Sequence, residues 1–190
     1  MSRAWLVRPA TPDDVGEICR IYGGVVKESS VSFEEVPPDP TEMSRRMTTH
    51  PRLPWLVAPV GDVVAGYAYA SRHRERAGYR WSADCSVYVD DSFRAQGVGR
   101  RLYEALIDEV RGLGYVSVFA AIALPNAAST RLHASLGFEV VGVFHAVGYK
   151  HGRWHDVAWM RRQLVEPPVP PPEPRIWQPP MSWPVVDGLT

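Results

Sequence analysis

The apolar residues of this 190-residue chain change period several times, and each change marks a new element. Trp5-Leu-Val-Arg8 reads as a short first strand. Thr11-Pro-Asp-Asp14 then opens a helix: Thr11 caps it, Pro12 takes the first helical position and Asp14 completes a Thr-x-x-Asp box. Val15, Ile18, Cys19 and Tyr22 follow at helical spacing and put one stripe toward a core, until Gly23-Gly24 weakens or ends the helix. A second, shorter helix is expected from Thr41 to Thr49, after the break at Pro37-Pro38. Trp55–Ala58 and Val63–Ala70, joined around Gly61-Asp62, read as an antiparallel hairpin.

Asp84–Val89 is the next strand, and a helix from Val98 to Leu113 follows with Val98, Leu102, Ala105, Leu106, Val110 and Leu113 on one side. Val116–Leu124 is nearly all apolar, as a strand buried on both faces requires. Asn126 caps a helix that runs to Leu136 and stops at Gly137. Glu139–His145 and His155–Leu164 form a closing strand pair. The order β-α-α-β-β-β-α-β-α-β-β predicts an α/β sandwich, a mixed sheet with helices on both faces.

With 45% hydrophobic and 22% charged residues, the chain suits one globular core. Nine of its 18 prolines fall between Val165 and Thr190, so residues 1–164 are expected to form the domain and 165–190 a Pro-rich, extended tail. The tail also carries Ile176, Trp177, Met181 and Trp183. It packs along a groove, stays disordered, or serves as a Pro-rich ligand.

Charge and cysteine usage narrow the function classes. The 21 basic and 21 acidic side chains balance, which disfavours nucleic acid or an anionic membrane as partner. No apolar run approaches the roughly 18 to 20 residues that span a bilayer. The start has too short an apolar stretch for a secretory signal, so the expected compartment is the cytoplasm. Cys19 and Cys85 lie far apart and fit reduced thiols. The six histidines show no metal spacing, so no metal is expected, and His151 and His155 bracket what reads as a polar turn.

The segment richest in chemistry is Arg94-Ala-Gln-Gly-Val-Gly-Arg-Arg101, between a strand and an amphipathic helix. Glycines there let backbone approach a ligand, while first-turn amides and the helix dipole favour negative charge, as a pyrophosphate cradle needs. It is neither a Walker loop nor a dinucleotide fingerprint, since no Gly-Lys-Ser/Thr follows and Leu102 stands where a third glycine belongs.

Arg94-x-x-Gly97-x-Gly99 resembles the Arg/Gln-x-x-Gly-x-Gly/Ala motif of the GNAT acetyltransferases, and Ser86-Val-Tyr-Val89 looks like that family's acetyl-CoA strand. Asn126, Ser129, Leu132-His133 and Gly137-Phe138 resemble its Asn-x-x-Ala-x-x-Leu-Tyr-x-x-x-Gly-Phe pattern. The resemblance covers residues 4–164 and implies the family's fold, a mixed, mostly antiparallel central sheet with helices on both faces. Ser30–Phe33, Arg72–Asp84, Ala121–Asn126 and Gly148–Val157 look more narrowly like the phosphinothricin N-acetyltransferase branch. That branch acetylates the α-amine of phosphinothricin, and relatives accept methionine sulfoximine or sulfone. The resemblance therefore implies an enzyme using acetyl-CoA and a small amino-acid substrate, cytoplasmic and homodimeric. A peptide N-acetyltransferase and a non-catalytic acyl-CoA-binding module are the alternatives.

The same resemblance assigns roles. An ammonium cannot attack a thioester until a base removes a proton. In the branch that base is a glutamate at the position of Asp84, which is one methylene shorter, so a water or a shifted substrate must close the gap. His133 stands where many relatives place a tyrosine that protonates the leaving thiolate. Val87, Tyr88 and Val89 are expected to meet the acetyl carbonyl and pantetheine. Arg94, Gln96, Gly97, Val98, Gly99, Arg100 and Arg101 would form the pyrophosphate loop, and Asn126 and Ser129 would hold the pantetheine arm. Arg74 and Arg76 can grip a phosphinate and a carboxylate bidentately, between pocket walls from Phe33 and Tyr79.

Overall fold

A computed structural model describes residues 5–179. Its elements in chain order are β1 (Arg8–Pro9), α1 (Val15–Glu28), α2 (Pro40–Thr48), β2 (Trp55–Val60), β3 (Val63–Arg72), β4 (Ser82–Val89), α3 (Val98–Gly112), β5 (Ser117–Ala123), α4 (Ala127–Ser135), β6 (Glu139–Lys150) and β7 (Arg153–Gln163). The strands form one seven-stranded sheet in the order β1-β2-β3-β4-β5-β7-β6. Every neighbouring pair is antiparallel except β4 and β5. The mixed, mostly antiparallel sheet with helices on both faces is the architecture expected from the sequence.

Alternating side chains divide the sheet between two cores. On one face α3 buries Val98, Leu102, Leu106 and Val110 against Leu56, Ala68, Ala83, Cys85, Val118 and Ile122. On the other, α1 and α2 bury Ile18, Tyr22, Val26 and Met43 against Trp55, Val57 and Tyr67. Gly66 lets α3 approach, since a Cβ there would lie 2.8 Å from the Tyr88 carbonyl and 3.2 Å from Leu102.

Most boundaries shift by one or two residues from the sequence reading, and three differences change the picture. The first strand pairs only at Arg8 and Pro9. Helix α1 runs on through Gly23-Gly24 to Glu28, because burial of Tyr22 and Val26 on either side offsets the roughly 1 kcal/mol that each glycine costs a helix. The closing strands reach to Lys150 and start again at Arg153, joined by a tight turn in which His151 and Gly152 have φ of 51° and 74°. His155 is consequently buried in β7, its Nε2 facing the Lys150 carbonyl at 3.1 Å, rather than standing in a polar turn.

After β7 the chain runs extended across the domain. Trp81 Nε1 donates to the Pro172 carbonyl at 2.7 Å, Arg80 pairs with Glu173 at 2.5 Å, and the Arg175 amide donates to Leu113 O at 2.8 Å. Trp177 is only 2% exposed and joins the α3-side core, its indole donating to Glu109 at 2.7 Å beneath the Arg52 guanidinium. Ile176 is exposed, and Met181 and Trp183 lie outside the described residues.

Candidate active site

The site begins where the sheet opens. Strands β4 and β5 are in register only at Ser82↔Ser117, Ala83↔Val118 and Asp84↔Phe119. Beyond Asp84 they part, while β4 continues along β3 through Ala68↔Val87, Tyr67↔Tyr88 and Gly66↔Val89. The β4 edge facing the gap therefore offers backbone groups to an extended, amide-bearing ligand, much as to another strand.

The glycine loop closes the α3 side of this opening. Asp90 accepts from the Ser92 amide at 2.9 Å, Ala95 has φ 59°, and Gly97 stands left-handed at φ 87° as the residue before α3. The helix starts without a side-chain cap. The Arg101 amide reaches Gly97 O at 3.1 Å, so the amides of Val98, Gly99 and Arg100 are first-turn donors without an intrahelical acceptor. That set fits a diphosphate. Trp5 braces the loop by donating from Nε1 to Gln96 O at 2.7 Å.

Side chains of the loop are less free than its backbone. Arg94 pairs with Asp91 at 2.5 Å, Gln96 donates to Ser92 O, and Arg100 reaches Glu104 at 3.3 Å and Ser135 Oγ at 2.7 Å. Arg101 is exposed and makes no ion pair among the described residues. A Cβ at Gly99 would make ordinary contact with Leu132 and Val89 at 3.4 Å, so the first turn of α3 lies close to both α4 and β4. Tyr88 turns its ring away to the α1 side, edge-on to Tyr22 at 5.1 Å, so only its backbone faces the gap.

At the start of α4, Asn126 caps the helix by accepting from the Ser129 amide at 3.1 Å. His133 reaches back one turn, its Nδ1 2.7 Å from Ser129 O, while Nε2 lies 2.9 Å from the Tyr103 hydroxyl. The imidazole is 3% exposed, and burial lowers its pKa despite the Ser129 bond. His133 thus braces α3 against α4 as a neutral ring. Delivering a proton to a thiolate, the role expected from sequence, would require the Tyr103 contact to open.

The opposite face carries the acceptor candidates. Asp84 lies within 2.6 Å of His73 Nδ1 through Oδ1. Burial pushes its carboxyl above the ordinary range, with His73 and then Arg74 pulling the other way without cancelling the effect. The His73 ring stacks on Phe119 at 4.3 Å and meets Tyr79 and Trp159 edge-on. Arg74 lies over Trp159 at 5.2 Å. Arg74 and Arg76 are exposed and form no ion pair with a carboxylate among the described residues, although Arg74 donates to the His73 carbonyl at 2.7 Å.

Phe33 packs over Gly148 and lies 6.0 Å from His155, four residues along β7 from Trp159. Its loop is pinned by Lys150, whose Nζ donates to the carbonyls of Val26, Ser32 and Glu34 at 2.6, 2.7 and 2.8 Å. A cavity of about 270 Å³ adjoins this face, lined among others by Arg46, His50, Trp55, Tyr69 and Ser71.

The structure thus gathers Asp84, Arg74 and Tyr79 at one end of the acceptor face and Phe33 at another. Sequence reasoning missed His73 and Lys150. The signal for His73 was the hairpin alternation Tyr69-Ser71-His73, carried one step past the strand.

The comparisons agree with the geometry. Residues 7–159 match the model of the acetyltransferase (GNAT) domain. The chain belongs to the GNAT acetyltransferase family. It is 41% identical over 166 residues to the phosphinothricin N-acetyltransferase of Streptomyces viridochromogenes, covering 87% of this chain and 90% of that protein. It is 35% identical to the L-methionine sulfoximine/L-methionine sulfone acetyltransferase of Salmonella typhimurium, over 86% of this chain and 97% of the other. The crystal structure of a phosphinothricin acetyltransferase from Sinorhizobium meliloti in complex with AcCoA superposes with a TM-score of 0.81 at 34% identity, covering 95% of each chain.

Proposed function

We propose that the protein acetylates the α-amine of phosphinothricin, or of methionine sulfoximine or sulfone, with acetyl-CoA as donor. The observation that carries this reading is the half-buried Asp84 at the point where β4 and β5 part, between an uncapped glycine-led helix and an arginine-flanked aromatic wall. The substrates named for the similar proteins from Streptomyces viridochromogenes and Salmonella typhimurium support the acceptor class.

The donor supplies a thioester carbonyl carbon open to attack by an amine. On this chain, Asp84 serves the deprotonation of the acceptor ammonium, its carboxyl raised above the ordinary range by burial. The backbone of Val87, Tyr88 and Val89 orients the acetyl and pantetheine groups. Gln96 to Arg101, led by the amides of Val98, Gly99 and Arg100, hold the diphosphate, with Asn126 and Ser129 along the pantetheine arm. Arg74 and Arg76 pair with the acceptor's phosphinate and carboxylate, and Phe33 and Tyr79 wall its pocket.

The same reading takes residues 1–164 as the catalytic domain, 165–190 as its tail, and the cytoplasm, which keeps Cys19 and Cys85 reduced, as the compartment. A second copy of the chain completes the assembly. Edge strand β6 and its hairpin expose Val140, Val141, Phe144, Val147, Tyr149 and Trp154, and a two-fold pairing of such a strip protects both edges at once. Light scattering checks this, with a dimeric mass expected for the wild type and a monomeric one for Phe144→Asp.

The test of the reaction is free-thiol release from acetyl-CoA with phosphinothricin, methionine sulfoximine, methionine sulfone and glutamate in parallel. Saturable turnover with one of the first three and little with glutamate is expected. Asp84→Asn is expected to lower kcat by about tenfold or more with acetyl-CoA affinity unchanged. Acetyl-CoA binding without turnover would overturn the substrate assignment and favour a peptide acceptor or a non-catalytic acyl-CoA-binding role.

A further inference from the structure

We infer that His73 and Asp84 act as a single proton-accepting pair, the imidazole supplying the reach that aspartate lacks at this position. The inference rests on the acetyl transfer proposed above and names a second group in its site.

Geometry gives the pair its form. The register Ser71↔Asp84 places His73 one alternation further on the same face, and its Nδ1 closes on Asp84 Oδ1 at 2.6 Å. An ionised carboxylate can only accept, so Nδ1 carries the hydrogen and the lone pair lies on Nε2, across the ring from Asp84. Nε2 has no hydrogen-bond partner among the described residues. The ring cannot readily turn: Phe119 lies parallel to it at 4.3 Å, and Trp159 and Tyr79 close in edge-on at 6.0 and 6.1 Å. The side chains of His73 and Asp84 are 11% and 28% exposed, so the pair is sheltered but open on one side.

The charged and titratable neighbours are few. Arg74 donates to the His73 carbonyl at 2.7 Å and lies over Trp159, and Tyr79 stands at the ring edge. Strands β5 and β7 contribute the uncharged rings of Phe119 and Trp159. A carboxylate that orients an imidazole and stabilises its protonated form is the same division of labour used by hydrolytic triads.

In the step, the acceptor ammonium gives one proton to Nε2, and the amine's lone pair forms the C–N bond at the thioester carbonyl carbon. The C–S bond breaks with its electron pair on sulfur. The second N–H proton ends on the thiolate, and the imidazolium returns the first to water.

Four variants and one spectrum test this. His73→Phe keeps a ring to stack on Phe119 and removes both nitrogens. Its kcat is expected to fall on the order of 10- to 100-fold, with the pH profile altered and acetyl-CoA affinity unchanged. Asp84→Asn and the double variant His73→Phe/Asp84→Asn are expected to lose about as much as His73→Phe alone, because groups acting as a unit are not additive. His73→Phe/Asp84→Glu is expected to regain activity, since the longer carboxylate reaches the amine without the ring. In the ligand-free protein a low-field proton resonance from Nδ1–H is expected, absent from His73→Phe and moved in Asp84→Asn. Wild-type kinetics in His73→Phe, or losses in the two single variants that multiply in the double, would overturn the pair alone. A wild-type protein that turns over no acceptor would overturn the reaction and the pair together.

Discussion

Asp14 shows how much one residue holds. Its carboxylate accepts from Arg8 at 2.7 and 2.8 Å and from the Thr11 amide at 2.7 Å, closing the turn that starts α1. Burial alone would raise its pKa, but the bonds from Arg8 and Thr11 win and hold the carboxyl below the ordinary range. A lowered folded value contributes stability at pH above the unfolded value near 4, and that contribution disappears as pH falls through the folded one. Asp14→Asn is therefore expected to cost about 2 kcal/mol at pH 7 and much less at pH 2, read from urea midpoints at both. The Thr-x-x-Asp spacing was legible in the sequence, whereas Arg8 as its partner was not, since the pairing depends on where β1 ends. Asp84 was legible through its neighbours in the chain. His133 was legible as a position but not as a contact: its place one turn after Ser129 lets the ring bond back to that carbonyl, and only the packed Tyr103 shows where the other nitrogen goes.

Between elements, the loop after α1 is set by the distant end of β6. Lys150 spends its three donors on Val26, Ser32 and Glu34, the first an unpaired carbonyl in the last turn of α1. Phe33 is held above Gly148, where any Cβ would collide with its ring. Lys150→Met leaves those carbonyls without a buried donor and frees the loop. Acceptor KM is expected to rise about tenfold with acetyl-CoA affinity unchanged, measured by thiol release and by titration calorimetry. An unchanged KM would detach the loop from the acceptor site. Helices and the central strands were readable from period alone, because each buries a stripe or a face. The long closing hairpin was not, because β6 is an edge strand whose exposed valines break the alternation. Nor could two adjacent glycines reveal that a helix would carry on past them.

For the whole molecule, the segment after β7 acts as a strap. Proline content announced its extended form, and Trp177 hinted at burial, but the groove between Arg52 and Glu109 exists only after the sheet and α3 have met. Trp177→Ala is expected to cost about 3 kcal/mol in urea unfolding, as removal of a buried indole does. A change below about 1 kcal/mol would mean that the strap adds little to the fold.

The split between β4 and β5 has a mechanical side. Four strands on one side and three on the other form two plates riveted at three residue pairs, and α3 packs on the first plate, over β2, β3 and β4. A ligand lying in the gap adds a second row of rivets where the chain itself has none. Rigidity across the sheet then belongs to the loaded molecule more than to the empty one, and the protein is loosest at the moment it must exchange its cargo.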